Sequence, residues 1–202
     1  MTFTDLGPAA QRMAVLVSNV PDELLNAPTP CRSYVLGDLL DHVDGVALGF
    51  TAAATKAAGD AASHSPVGDA AQLGADWRTR IPRNLAVLAQ AWRDPAARSG
   101  MTRAGGIDLP GEMAGVVALE ELVIHGWDVA RASGQSYDCD EEALEVAHSF
   151  IAQFADQAEL RGEAYSAPVA APDTAPLLSR VVALSGRDPA WSPPAAAAAR
   201  ET

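Results

Sequence analysis

Residues 119–131, with the sequence LEELVIHGWDVAR, decide how the rest of the chain is organised. The stretch is typical of a helix, and it places Glu121 and His125 four residues apart. Side chains at that spacing project from one helix face, with their Cβ atoms roughly 6 Å apart. A carboxylate and an imidazole on adjacent turns can bind one divalent ion, but two ligands do not make a tight site. The pattern therefore predicts a metal site only if a third ligand comes from another helix.

The composition favours a helical protein with a sizeable core. The chain has 202 residues, of which 49% are hydrophobic and only 5% are aromatic, and alanine is abundant. Chains rich in alanine, with few alternating β-branched runs, favour helices packed closely together. Neither an internal repeat nor a linker of domain scale is visible. We therefore expect one all-α domain over residues 1–192 and a disordered tail over residues 193–202.

The charge of the chain argues against two classes of partner. The formal net charge is −12 and the sequence pI is about 4.6. A field of that sign repels phosphate backbones, and no cluster of basic residues is present to bind an anionic membrane. No stretch approaches about 18 uncharged apolar residues, and the N-terminus lacks the pattern of a signal peptide. We expect a cytoplasmic protein that binds neither nucleic acid nor membranes.

Apolar residues at helical spacing predict six helices, at about residues 4–19, 35–56, 69–93, 110–132, 141–160 and 175–185. Pro82 is expected to kink or split the third of these helices. Residues 101–103 and 107–109 are expected to form a short ribbon. The cysteines, Cys31 and Cys139, are far apart and lack CxxC spacing, so we expect free thiols.

His42 is the natural candidate for the third ligand. It lies on the apolar stripe of the second predicted helix, three residues after Leu39, where an unpaired imidazole would be costly to bury. For any single buried histidine, the better explanation is a core histidine that hydrogen-bonds a neighbour such as Asp38. The pair Glu121 and His125 has its own simpler explanation, an ordinary interaction between residues i and i+4.

The three residues together are more informative than any one of them. A bundle in which the second and fourth helices are neighbours would bring together His42, Glu121 and His125. Two imidazoles and one carboxylate leave a fourth coordination position open, as in catalytic zinc sites. Glu120 is a poor substitute for Glu121, because it lies five residues before His125, and two helical side chains at that spacing point in different directions. No general acid or base is identifiable from the sequence.

Residues outside the ligand set could orient the two imidazoles. Asp38 lies one turn before His42, and Asp128 lies three residues after His125. Each is a candidate second partner for its histidine. The alternative for Asp128 is a salt bridge with Arg131, and the two interpretations stay open.

Three further residues have suitable side chains but unsuitable positions. His64 lies in a polar loop and His148 on the fifth predicted helix, so neither is expected to bind metal. Cys31 precedes the second helix and could approach the site, although such a cysteine is more often a small packed residue.

Three segments resemble a known family: TPC at residues 29–31, DLLDHV at 38–43 and ELVIHGWDVARA at 121–132. They are similar to the metal-binding proteins related to the N-terminal domain of mycothiol-dependent maleylpyruvate isomerase. That group lies within the DinB-like superfamily and is common in actinobacteria. The ending LSGRDPAW at residues 184–191 matches one actinobacterial branch, and the resemblance covers nearly the whole chain.

The resemblance implies a DinB-like four-helix bundle with additional C-terminal helices. It also implies a zinc site, or one for another divalent metal, formed by His42, Glu121 and His125. Members with assigned activity bind mycothiol as a thiolate, since a metal ion lowers the pKa of a thiol. We therefore expect a mycothiol-dependent S-transferase, or a related thiol-dependent enzyme, that acts on an electrophilic small molecule as a monomer or homodimer.

Two other functions stay open at this point. One is a metal-binding or stress-response protein without catalysis, and the other is a bundle that binds or cyclises a hydrophobic metabolite. The chain also departs from the family pattern, because Tyr34 and Val35 stand where tryptophan and threonine are common. Ser33 is then expected to cap the second helix. The isomerase has a further C-terminal domain that this chain lacks, so isomerisation of maleylpyruvate is not expected.

Overall fold

The structure is a computed structural model that describes residues 4–57, 64–161 and 165–194. In these ranges the longer elements follow the predicted helical pattern. They are, in order, α1 (Gly7–Ser18), α2 (Leu36–Thr55), α3 (Trp77–Arg93), α4 (Pro95–Arg98), β1 (Met101–Ala104), β2 (Ile107–Pro110), α5 (Gly111–Ser133), α6 (Glu141–Ile151), α7 (Ala158–Arg161) and α8 (Leu177–Leu184). Single 3-10 turns occur at Asp22–Leu24 and Ala70–Gln72.

Helices α1, α2, α3 and α5 form a four-helix bundle, which confirms the predicted fold. Both α1 and α2 pack against α3 and α5, so that the four helices close around one apolar core. Small residues let α5 approach its neighbours closely. Ala114 and Ala118 are completely buried, and the ring of Trp92 lies 3.1 Å from where a Cβ on Gly115 would be. Among the described residues, no helix combines the length and apolarity needed to cross a membrane.

The additional C-terminal helices pack on the outside of this bundle. Helix α6 lies against α5, and α8 lies against α6. The fifth predicted helix was too long, since α6 ends at Ile151 and residues 152–156 form turns. The predicted disordered tail falls mostly on residues 195–202, outside the described ranges.

A short hairpin closes one end of the space between α2 and α5. Strands β1 and β2 are antiparallel, with Ala104 opposite Ile107 at the turn. The turn residues Gly105 and Gly106 both have positive φ, 58° and 81°, the conformation of a type I′ turn. On β1, Thr102 donates a buried hydrogen bond of 2.6 Å to the carbonyl of Ala53 on α2. The predicted ribbon is therefore present and is anchored to the bundle.

The cap of α2 differs from the prediction, although the helix begins close to the predicted residue. The helix begins after Val35, and no side-chain cap from Ser33 is formed. Instead the carboxylate of Asp38 accepts hydrogen bonds from the backbone N–H groups of Val35 (3.1 Å) and Ala70 (2.8 Å). Asp38 therefore ties the first turn of α2 to the 3-10 turn before α3. Helix α3 begins at Trp77, eight residues later than predicted, and it continues through Pro82 as one element.

Candidate metal centre

Three side chains converge between α2 and α5. His42, Glu121 and His125 each offer one ligand atom, and these atoms lie within 4.8 Å of one another. Oε2 of Glu121 is 3.4 Å from Nε2 of His42 and 3.2 Å from Nε2 of His125. The histidines are buried, whereas the Glu121 side chain remains 25% exposed towards a cavity. The three residues predicted as ligands are thus brought together, because α2 and α5 are neighbours in the bundle.

The spacing of the donor atoms suits a small divalent cation. With bonds of about 2.0–2.1 Å, two ligands of a tetrahedral zinc ion are about 3.3–3.4 Å apart. The two distances to Oε2 of Glu121, 3.2 and 3.4 Å, lie close to this value. Two nitrogens and one oxygen also form a donor set that zinc commonly takes at catalytic sites, with a position left for a further ligand.

His125 is oriented by a buried ion pair. Its Nδ1 donates to Oδ2 of Asp128 over 2.9 Å. Asp128 is completely buried, and Arg187 donates to both of its carboxylate oxygens, from Nη2 over 3.0 Å and from Nε over 3.4 Å. Because the carboxylate only accepts hydrogen bonds, Nδ1 carries a proton, and Nε2 is the ring nitrogen that faces the donor cluster.

Asp128 therefore lies where it can orient His125, which is the role predicted for it. Its basic partner is Arg187 and not Arg131, the residue that the salt-bridge alternative named. The guanidinium of Arg131 instead binds the carbonyl of Trp191 near the end of the described chain.

His42 is oriented by a backbone group and not, as predicted, by Asp38. Its Nδ1 lies 3.0 Å from the carbonyl oxygen of Pro66, in the loop that precedes α3. A carbonyl can only accept, so here too Nδ1 carries the proton and Nε2 faces the cluster. The Asp38 carboxylate is held by the backbone N–H groups of Val35 and Ala70, at the start of the helix.

The electrostatics of the donor cluster favour a positive charge at its centre. Burial alone would raise the pKa of Glu121, but its contacts with the imidazoles of His125 and His42 hold that pKa well below its usual range. Burial alone would lower the pKa of His125, but its hydrogen bonds to Asp128 and Glu121 raise it to about 10. In the protein without metal, a proton on His125 therefore supplies the positive charge that a cation would supply.

The neighbouring carboxylate, Glu120, has a different environment. It is 2% exposed, and the hydroxyl of Tyr165 donates to it over 2.6 Å. Burial, followed by the charge of Glu121, raises the pKa of Glu120 to about 7. Glu120 is not part of the donor cluster, in agreement with the geometric argument from the sequence.

Two residues of this region were missed by the sequence analysis, Tyr165 and Arg187. They lie 45 and 59 residues beyond their carboxylate partners Glu120 and Asp128, too far for any helical spacing to indicate contact. Arg187 belongs to the ending LSGRDPAW, which could be recognised as a motif but not assigned to a partner.

The donor cluster opens into a cavity of about 1040 Å³. Cys31 and His64 line this cavity, and neither belongs to the donor cluster. His148 lies on α6 outside both. Cys31 and Cys139 are free thiols, as predicted. The arrangement therefore offers three fixed donor atoms at the wall of a space of the size that small-molecule sites have.

Comparisons with known proteins agree on one family and one fold. Residues 6–130 match the model of the mycothiol maleylpyruvate isomerase N-terminal domain. Two uncharacterised proteins of Mycobacterium tuberculosis, from strains CDC 1551 / Oshkosh and ATCC 25618 / H37Rv, are each 31% identical over 138 residues, or 66% of this chain and 68% of theirs.

A solved structure gives the corresponding result for the fold. The crystal structure of the mycothiol-dependent maleylpyruvate isomerase matches with a TM-score of 0.58 and 17% identity, over 77% of this chain and 70% of that chain. The likeness is one of fold. The donor residues and Asp128 fall within the matched residues 6–130, whereas Tyr165 and Arg187 lie beyond them.

Proposed function

This chain belongs to the family of the mycothiol maleylpyruvate isomerase N-terminal domain, and on that premise we propose that it is a zinc-dependent thiol transferase. The thiol is mycothiol or a similar small thiol, and the acceptor is an electrophilic small molecule. One observation carries the proposal: the cluster of His42, Glu121 and His125 faces an open cavity, with both imidazoles oriented by acceptors outside it.

The donor set fits the charge balance of this chemistry. A divalent ion held by His42, Glu121 and His125 would supply positive charge, which would lower the pKa of a bound thiol and make its sulfur nucleophilic at neutral pH. Of the three donors only Glu121 is anionic, since the imidazoles bind as neutral ligands. The charge of Asp128 is balanced separately by Arg187. One positive charge of a divalent ion is therefore left for one anionic ligand such as a thiolate.

The residues of the chain act by holding and orienting. Asp128 and the carbonyl of Pro66 keep Nδ1 of the two histidines protonated and their rings fixed. Such outer partners raise the basicity of a ligand and maintain its orientation. The cavity beside the cluster leaves room for the thiol and its acceptor to meet.

Metal content tests the first part of the proposal. Purified wild-type protein should contain about one equivalent of zinc by elemental analysis, and His125→Ala should contain less than about a tenth of that. His64→Ala is the matched control, because His64 lines the same cavity outside the cluster. Less than half an equivalent in the wild type, unaffected by His125→Ala, would contradict the metal site.

Thiol binding tests the second part. Calorimetry should detect binding of mycothiol to the zinc-loaded wild type but not to the metal-free protein. Mass spectrometry should then detect thiol adducts when a panel of electrophiles is added. A zinc-loaded protein that gives neither heat nor adducts would be a metal-binding protein without this activity.

A further inference from the structure

The cavity extends beyond the donor cluster, along the facing sides of α2 and α5. On α2, Val46 and Phe50 follow His42 at intervals of four residues, and on α5, Val117 precedes Glu121 by four residues. All of these residues line the same cavity. Residues four apart on a helix share one face. The facing walls of α2 and α5 therefore become apolar within one turn of the donor cluster.

Two other elements complete this apolar wall. Leu109 comes from the hairpin strand β2, while Phe150 and Phe154 come from the end of α6 and the turn after it. The rings of Phe150 and Phe154 meet edge to face, with centroids 5.2 Å apart. We define the apolar arm of the cavity by these residues together with those of α2 and α5: Val46, Phe50, Leu109, Val117, Phe150 and Phe154.

The arginines of the cavity lie away from this arm. Among the described lining residues, they are Arg32 and Arg187. Arg32 lies in the turns before α2, at the opposite end of that helix from Phe50. Arg187 already binds Asp128 through Nε and Nη2 and the carbonyl of Ser185 through Nη1. An anion in the apolar arm would lose its water without gaining a cation there.

We propose that the apolar arm binds the carbon skeleton of an uncharged, hydrophobic electrophile, the acceptor of the thiol. This inference rests on the proposed thiol-transfer function and names the substrate class of the same site. Aromatic side chains on two sides of the arm favour a flat aromatic skeleton. A molecule held there can place its electrophilic carbon beside Glu121 and His125, which line the same cavity and where the thiol is expected to bind.

The reaction with an aryl chloride balances without a further reagent. The thiol gives its proton to the solvent on binding. A lone pair of sulfur forms the new carbon–sulfur bond, and the carbon–chlorine bond breaks as chloride leaves with the bonding electron pair. Nothing is oxidised or reduced. The only contribution of the apolar arm to this reaction is to hold the aromatic ring of the electrophile beside the sulfur.

Direct binding of an uncharged fluorescent probe tests the apolar arm independently of the chemistry. N-phenyl-1-naphthylamine should bind wild-type protein, with and without zinc, and Val117→Asp should weaken that binding at least about tenfold. Val87→Asp is the matched control, since Val87 is 50% exposed on α3 and does not line the cavity. Leu109→Asp, a half-buried hairpin position, gives the same test if Val117→Asp does not fold. Equal binding to wild type and a folded arm variant would overturn the proposal.

A pair of electrophiles tests the substrate class. With mycothiol and zinc-loaded protein, 1-chloro-2,6-dinitrobenzene should be used at least about tenfold more efficiently, relative to its uncatalysed rate, than 4-chloro-3,5-dinitrobenzoate, which has the same arrangement of chlorine and nitro groups and adds a carboxylate. Equal use of the two would overturn the proposal. Probe binding that depends on Val117, with neither electrophile consumed, would instead support the arm as a binding site and contradict thiol transfer.

Discussion

The two histidines of the donor cluster have the same side chain and similar burial, but they are held in different ways. His125 is 8% exposed and His42 is 9% exposed. The Nδ1 of His125 binds a carboxylate on its own helix, backed by Arg187 from the C-terminal part of the chain. The Nδ1 of His42 binds only a backbone carbonyl, that of Pro66, in a loop.

The two histidines therefore differ in what holds them. His125 is held by a charged side chain, whereas His42 is held by an uncharged backbone group whose position alone matters. On the α5 side, a buried anion and a buried cation must both be present, because each would be costly alone. On the α2 side, the carbonyl of Pro66 carries no net charge and can be moved only by moving its loop. The α5 side should therefore be sensitive to charge, and the α2 side to backbone displacement.

The largest effect should follow from removing the charge at Asp128. In Asp128→Ala the guanidinium of Arg187 is left buried without its anion, and we expect a loss of about 3–5 kcal/mol in the free energy of unfolding. Urea denaturation of the metal-free protein measures this. The double variant Asp128→Ala/Arg187→Met should recover at least half of the loss, because no isolated charge is then buried. A single variant as stable as the wild type would contradict the electrostatic support.

The next effect concerns metal affinity on the α5 side. Asp128→Asn keeps the shape of the side chain but removes its charge, so His125 becomes a weaker ligand. We expect zinc affinity to fall about 10- to 100-fold, as for other outer partners of metal-bound histidines. Competition with a chromophoric chelator measures the change. Asp38→Asn serves as the comparison, and its zinc affinity should stay within about threefold of wild type, since Asp38 binds backbone N–H groups and not His42.

A smaller effect is expected from displacing the loop on the α2 side. A Cβ on Gly45 would lie 2.6 Å from Cβ of Pro66, so Gly45→Ala must push this residue and its carbonyl away from His42. We expect zinc affinity to fall by about tenfold or less, because a water molecule can replace the carbonyl as acceptor.

Gly134→Ala is the control for this change, since Gly134 has a φ of 71° at the end of α5 and nothing lies within 4 Å of its Cβ position. It should reduce stability by about 1 kcal/mol without changing zinc affinity. If Gly45→Ala also leaves zinc affinity unchanged, the carbonyl of Pro66 is not needed to hold His42.

The smallest effect should come from Tyr165, the second group that the C-terminal part of the chain contributes to α5. Tyr165→Phe removes the donor to Glu120, and we expect a loss of about 1 kcal/mol in the free energy of unfolding. Zinc affinity should not change, since Glu120 is outside the donor cluster. A loss of zinc equal to that of Asp128→Asn would show that both carboxylates support the metal.

The sequence was sufficient for the bundle and for the convergence of His42, Glu121 and His125, because both depend on helical periodicity. Glu121 and His125 share a face by spacing alone, and His42 was found as a polar residue on an apolar stripe. The orienting role of Asp128 was also accessible, since it lies three residues from His125 on the same helix.

The contacts that the sequence could not predict are those made by backbone groups or by distant segments. Pro66 binds His42 through its carbonyl, which is present in every residue and so leaves no signal in the sequence. Arg187 and Tyr165 reach α5 only because the chain returns to it after α6. Asp38, the candidate partner of His42, does not bind it, because backbone N–H groups at the helix start bind the same carboxylate.

The ion pair of Asp128 and Arg187 determines which parts of the chain must be transferred together if the site is moved to another protein. All three donors and Asp128 lie within residues 6–130, the part that matches the family model, whereas the arginine lies outside it. A grafted or shortened bundle that keeps the glutamate, the histidine and the aspartate of α5 would inherit a buried anion without its counter-charge. For protein engineering, the smallest transferable unit of this candidate site is therefore two segments from different parts of the chain, and the second contains none of the three candidate ligands.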